Sequence, residues 1–162
     1  MAKQLNTVIF DLAVRVETEG AAFYSALEAK SADPTVRKIF HLLADQEAEH
    51  KAVFLRLYAR SDPAKGYDAG LESFLAGLQA GADKIIFDMT AWSTGENLRP
   101  IDVIEKAMQS EQETIEFYRT LKTRFTSQIS IFIERIINEE RKHVNKLMEA
   151  GQILRAQPGA GK

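Results

Sequence analysis

The sequence predicts an all-α fold: a four-helix bundle of two pseudo-equivalent helix hairpins joined by a long connector. Three observations predict it. Apolar residues recur at alternating steps of three and four over four long stretches, the mark of helices with one buried face. Proline falls only at the ends of those stretches or between them, where a helix starts or stops, and most of the glycines fall between or beyond them. The third observation is a repeat. Glu47-Ala48-Glu49-His50 and Glu140-Arg141-Lys142-His143 both spell Glu-x-x-His, and each follows a lone Glu and a Tyr: Glu17 and Tyr24 in one copy, Glu111 and Tyr118 in the other. In both copies the Tyr comes seven residues after its Glu, and the Glu-x-x-His comes thirty or twenty-nine after it.

The first helix is expected from about Thr7 to Lys30, with Ile9, Ala13, Val16, Gly20, Tyr24 and Leu27 on one face and Glu17 among them. Asn6 or Thr7 is its candidate cap. Asp33-Pro34 then reads as a start signal, a capping side chain followed by proline at the first helical position. Val36, Phe40, Leu43, Glu47, His50, Phe54 and Leu57 form an unbroken seam to about Arg60, where Ser61-Asp62-Pro63 closes the helix.

The connector, about 61–99, is the least regular stretch. Gly66, Gly70, Gly77, Gly81 and Gly95 are scattered through it. Leu71, Phe74, Leu75 and Leu78 suit a short amphipathic helix. Lys84 to Met89 is read as helical from its surroundings, because so short a run does not distinguish helix from strand. Trp92 is read as a packing anchor. A connection this long can cross the end of a bundle or carry half the chain to a second subunit.

The third bundle helix begins near Pro100 and places Ile104, Ala107, Glu111, Thr114, Tyr118 and Leu121 on its inner face. The fourth, after a break at 122–126, places Ile129, Ile133, Ile136, Glu140, His143, Leu147, Ala150 and Leu154 there. Residues 1–155 thus form one domain, and 156–162 are expected to be a disordered tail.

A Glu and a His three apart share one helix face and can reach one point. On a solvated face such a pair means nothing. Here both pairs and both lone glutamates lie on seams otherwise made of Ile, Leu, Val and Phe. Four buried carboxylates are too costly to leave uncompensated. Lys and Arg are nearly absent from the seams, and Arg141 and Lys142 should point outward. Two divalent cations balance four carboxylates, with both imidazoles neutral. The expected metal ligands are therefore Glu17, Glu47, His50, Glu111, Glu140 and His143. Oxygen and imidazole donors suit iron or manganese. This ligand pattern is already known for dinuclear carboxylate bundles, in which Glu47 and Glu140 would bridge and Glu17 and Glu111 would be terminal. Tyr24 and Tyr118 are expected either to hydrogen-bond carboxylates or simply to pack. Glu47, Glu140, Tyr24 and Tyr118 are the candidate catalytic residues. Glu19, Glu49, Glu113, Glu116, Glu139 and His41 lie off the seams and are read as solvated.

Composition narrows the function. The 162 residues hold 45% hydrophobic and 27% charged residues with a net charge of −2, so nothing recommends nucleic acid or an anionic membrane. There is no cysteine, which excludes disulfides, thiolate catalysis and an iron–tetracysteine centre. No signal peptide or membrane span is apparent, so a cytoplasmic protein is expected.

The chain resembles the ferritin-like domain of the rubrerythrin family. The segments that carry the likeness are 17–24 (Glu-Thr-Glu-Gly-Ala-Ala-Phe-Tyr), 44–50 (Ala-Asp-Gln-Glu-Ala-Glu-His), 111–118 (Glu-Gln-Glu-Thr-Ile-Glu-Phe-Tyr) and 138–143 (Asn-Glu-Glu-Arg-Lys-His). The resemblance implies a ferritin-like bundle and a non-haem di-iron centre of two iron ions that reduces hydrogen peroxide or reacts with dioxygen. Family members of the founding type add a rubredoxin domain with four cysteines. This chain lacks it, so the resemblance implies a separate electron donor, either rubredoxin-like or a flavin reductase. Those members also carry a further Glu one turn after the third-helix ligand, where this chain has Thr114, so a more symmetric site is expected. A homodimer, simple or domain-swapped, is expected from the family and the connector. The alternatives are a ferroxidase or iron-storage protein, a di-iron monooxygenase, and a structural bundle without metal.

Overall fold

The computed structural model describes residues 2–60, 70–94, 99–125 and 128–157. Five helices make up the described chain: α1 (Ala2–Lys30), α2 (Pro34–Arg60), α3 (Leu71–Thr94), α4 (Pro100–Lys122) and α5 (Gln128–Arg155). The hairpins α1/α2 and α4/α5 pack together, with α2 against α5, and α3 lies along α1 and α4. This is the all-α, ferritin-like bundle that the seams predict, with one helix added.

The turn from α1 to α2 follows its sequence closely. Ser31 N–H returns to the carbonyls of Leu27 and Glu28 at 3.0 and 3.2 Å. The Asp33 carboxylate accepts from the N–H groups of Thr35 and Val36 at 2.8 and 2.9 Å, a cap worth about 1 kcal/mol. Pro34 opens α2. Pro100 likewise opens α4, although Arg99 before it makes no side-chain cap.

Three expectations need correction. Helix α1 starts at Ala2, not near Thr7, because Ala2-Lys3-Gln4-Leu5 are strong helix formers and nothing there breaks the helix. The two helical runs read in the connector, through Leu78 and from Lys84 to Met89, are not separate pieces but one 24-residue helix. Leu78, Ala82, Ile85 and Met89 are all buried on one face of α3, and that packing overrides the cost of Gly77 and Gly81, about 1 kcal/mol each. The two glycines also leave a groove of about 530 Å³ between α3 and α4. The expected tail, finally, is held where it begins. Ala156 N–H bonds the Gln152 carbonyl at 3.1 Å, and the Gln157 amide donates to Asp33 at 2.5 Å. Residues 158–162, the Ser61-Asp62-Pro63 stop, Gly66 and Gly95 lie outside the described residues.

The core runs the length of the bundle, from Ile9, Phe10 and Phe54 to Leu27, Phe40 and Leu147. Trp92 packs against it, with the Lys106 ammonium 5.5 Å from its ring centroid. Among the described residues no helix is long and apolar enough to cross a membrane.

Candidate metal centre

Four helices each bring one part of the repeat into the middle of this core. Glu17 comes from α1, Glu47 and His50 from α2, Glu111 from α4, and Glu140 and His143 from α5. All six are buried, with Glu17, Glu140 and His143 fully so. They fall into two overlapping groups. Glu17, Glu47, His50 and Glu140 form one, and Glu47, Glu111, Glu140 and His143 form the other. Within each group one ligand atom per residue lies within 4.8 Å of the rest. Glu47 and Glu140 belong to both.

The close contacts show how the groups meet. Glu140 spans the two imidazoles, with Oε1 3.0 Å from His50 Nδ1 and Oε2 2.8 Å from His143 Nδ1. Glu17 Oε2 is 3.4 Å from His50 Nδ1. Glu47 Oε1 and Glu111 Oε1 lie 3.1 and 3.3 Å from His143 Nδ1. The imidazole rings stack at 5.5 Å and 16°.

These short contacts lack regular hydrogen-bond geometry. Glu17 Oε2, both oxygens of Glu140, His50 Nδ1 and both nitrogens of His143 are buried without a hydrogen-bond partner. Buried polar atoms are almost always paired. Five of these atoms, all but His143 Nε2, approach one another within 2.8–3.4 Å and still do not pair, so that they converge on common points. That is the arrangement of ligands around a metal, and with no sulfur in the set it suits iron or manganese.

The tyrosines settle the crossing of the two halves. Tyr24 donates to Glu111 Oε1, and Tyr118 donates to Glu17 Oε1. Each phenol therefore serves the lone glutamate of the other hairpin, which ties α1 to α4 and makes them antiparallel. Both tyrosines are fully buried, Tyr24 against Phe40 and Tyr118 against Phe54. Burial first, then Glu111 beside Tyr24 and Glu17 beside Tyr118, pushes both phenols well above the ordinary tyrosine value. They stay protonated and remain donors.

A model of the rubrerythrin family, described by that name, matches residues 9–151. The chain belongs to the rubrerythrin family. No curated protein and no solved structure matches it significantly. The matched span takes in all six clustered Glu and His residues and both tyrosines.

The residues expected off the seam divide. Glu49, Glu116 and His41 are exposed, as are Arg141 and Lys142. Glu19, Glu113 and Glu139 are corrections, each half-buried. Glu113 Oε1 accepts from Lys84 at 2.6 Å and Gln109 at 3.0 Å, because α3 packs beside it.

One contributor was not recognised from the sequence. A Cβ on Gly20 would stand 3.0 Å from Glu47 Oε2 and 3.1 Å from its Cδ, so Glu47 lies directly on the bare α1 backbone. Gly20→Ala is therefore expected to fold, since alanine favours a helix, while displacing Glu47 by a few tenths of an ångström. The expected result is a drop of roughly tenfold in Mn(II) affinity, at the low end of outer-shell effects, read by competition with a chelator. Unchanged affinity would show that the position of Glu47 does not matter.

Proposed function

We propose that this member of the rubrerythrin family is a non-haem di-iron oxidoreductase that reduces hydrogen peroxide, or dioxygen, with electrons from a separate donor. The observation that carries the reading is the pair of buried, overlapping ligand groups that share Glu47 and Glu140. For peroxide the balance is one H₂O₂, two protons and two electrons to two waters. Two ferrous ions, when bound, supply those electrons, one each.

The protein's own part is positional. Glu17, Glu47, Glu111 and Glu140 carry four negative charges to match two divalent ions. Glu140, lying between both imidazoles, is placed to bridge. Tyr24 and Tyr118 fix the rotamers of Glu111 and Glu17 and occupy one lone pair on each, leaving the others to face inward. The packed core around the cluster keeps bulk water out and strengthens every charge interaction within it. The 162 residues hold no cysteine to ligate an electron-transfer iron, and the proposal therefore assigns the electrons to a separate donor, rubredoxin-like or a flavin reductase.

The test has two stages. Protein purified without chelator should carry iron, about two per chain on reconstitution given two ligand groups. The reduced, loaded protein should then consume peroxide rapidly. Absence of any reaction with peroxide at stoichiometric iron would overturn the oxidoreductase reading, and failure to bind metal at all would overturn the centre itself.

A further inference from the structure

The two halves of the cluster differ at one inner position. Gly20 follows Glu17 by three residues, and Thr114 follows Glu111 by three, so the repeat places them in the same register on α1 and α4. At Gly20 that register touches the carboxylate of Glu47 on the neighbouring helix. In the repeat, the counterpart of that carboxylate is Glu140 on α5, and the counterpart of Gly20 is Thr114.

Thr114 is 2% exposed, and its hydroxyl is buried without any hydrogen-bond partner. This is unusual for a helical threonine, which ordinarily bonds a carbonyl one turn back. Other helical hydroxyls in this chain do so: Thr18 to Val14 at 2.6 Å, Ser25 to Ala21 at 2.8 Å and, on α4 itself, Thr120 to Glu116 at 3.0 Å. The most enclosed of these hydroxyls is the one that leaves its backbone acceptor unused. Leaving a buried hydroxyl unpaired is costly. Its position is on the ligand face of α4, one turn from Glu111.

We propose that Thr114 is a binding residue for a small oxygen-bearing ligand or anion entering the cluster, its hydroxyl donating a hydrogen bond to that ligand. On this assignment the centre is asymmetric. The α1 side is closed by Glu47 lying on Gly20, and the α4 side offers the only donor of the pair. The proposal rests on the metal reading above and adds to it where the oxidant sits. The hydroxyl keeps its proton and takes no part in electron transfer.

The experiment uses azide as probe, titrated by absorbance into the iron-loaded, oxidised protein, with Thr114→Val and Thr114→Ser as variants. Valine keeps the shape and removes the hydroxyl, and serine keeps the hydroxyl. The expected result is azide binding about tenfold weaker in Thr114→Val, as one lost hydrogen bond implies, and within about twofold of the parent in Thr114→Ser. The metal-free Thr114→Val protein should also melt higher than the parent, because it no longer buries an unpaired hydroxyl. Equal azide affinity in Thr114→Val and the parent would overturn the proposal, as would a serine variant as weak as the valine one. Iron content, measured first on the parent, separates these outcomes from failure of the metal reading: a parent that holds no iron fails at that stage, whereas an iron-loaded set with equal azide affinities fails only at Thr114.

Discussion

Replacing Glu140 by alanine should abolish stoichiometric metal binding while leaving the helices intact. Glu140 is the one residue whose two oxygens each lie within 3.0 Å of a different imidazole nitrogen, and it belongs to both ligand groups. Its loss takes a ligand from both positions at once. The fall in affinity should therefore exceed the roughly 10–100-fold typical of losses outside the first shell. Glu47→Ala should do the same, since Glu47 is also shared. Glu49→Ala is the control: two residues further along α2 and exposed, it should bind metal as the parent does. Folding is not expected to suffer. Truncation removes the cost of burying one of four clustered carboxylates, which offsets the lost packing and the lost contacts to the two imidazoles. Metal content by elemental analysis and helicity by circular dichroism check both halves. Stoichiometric metal retained in both glutamate variants would refute the ligand assignment.

The residues of the cluster were legible in the sequence because helical periodicity fixes which side chains share a face. Once Glu47 and His50 fell on a seam with Phe40, Leu43 and Phe54, burial followed, and buried carboxylates demanded a partner. Periodicity is silent on anything that depends on how one helix meets another. The crossed bonds from Tyr24 to Glu111 and from Tyr118 to Glu17 need the two hairpins to run antiparallel, and spacing along one helix does not specify that. The contact of Gly20 with Glu47 is hidden for the same reason, since a glycine in a seam reads only as a small residue. Its one signal was the repeat, which sets Gly20 opposite Thr114. Helix α3 was read only in two pieces, a short helix through Leu78 and a helical run from Lys84 to Met89. Its steps Leu78, Ala82, Ile85 and Met89 are helical, but Gly77 and Gly81 obscured them, and the packing on α1 and α4 that outweighs the glycines exists only in the folded chain.

The second large effect is on stability against pH, with opposite signs for the metal-free and metal-loaded protein. Without metal, burial and then the charge of Glu140 push Glu111 up to about 7, and burial and then Glu17 push Glu47 up. Burial opposes the charge of His50, but Glu140 and Glu17 outweigh it and raise that imidazole to about 11. His143 is raised in the same way, chiefly by Glu111. Every one of these groups holds its proton more tightly folded than unfolded. A group with a raised folded pKa contributes most below its unfolded value, and that stability is lost as pH rises through the folded one. For Glu111 the window is about 4.5 to about 7. For His50 it is 6.5 to about 11. The metal-free protein should therefore melt lower at each step from about pH 5 to pH 10. Each proton released per pH unit costs about 1.4 kcal/mol, or about 3–5 °C in a domain of this size. Metal binding displaces the same protons, so affinity climbs with pH. The gain in melting temperature on adding Mn(II) should accordingly be smallest near pH 5 and grow towards pH 9. Calorimetry of both forms across that range checks the sign. A metal-free protein that melts higher at pH 9 than at pH 6 would mean that the four carboxylates and two imidazoles do not share their protons as the cluster requires.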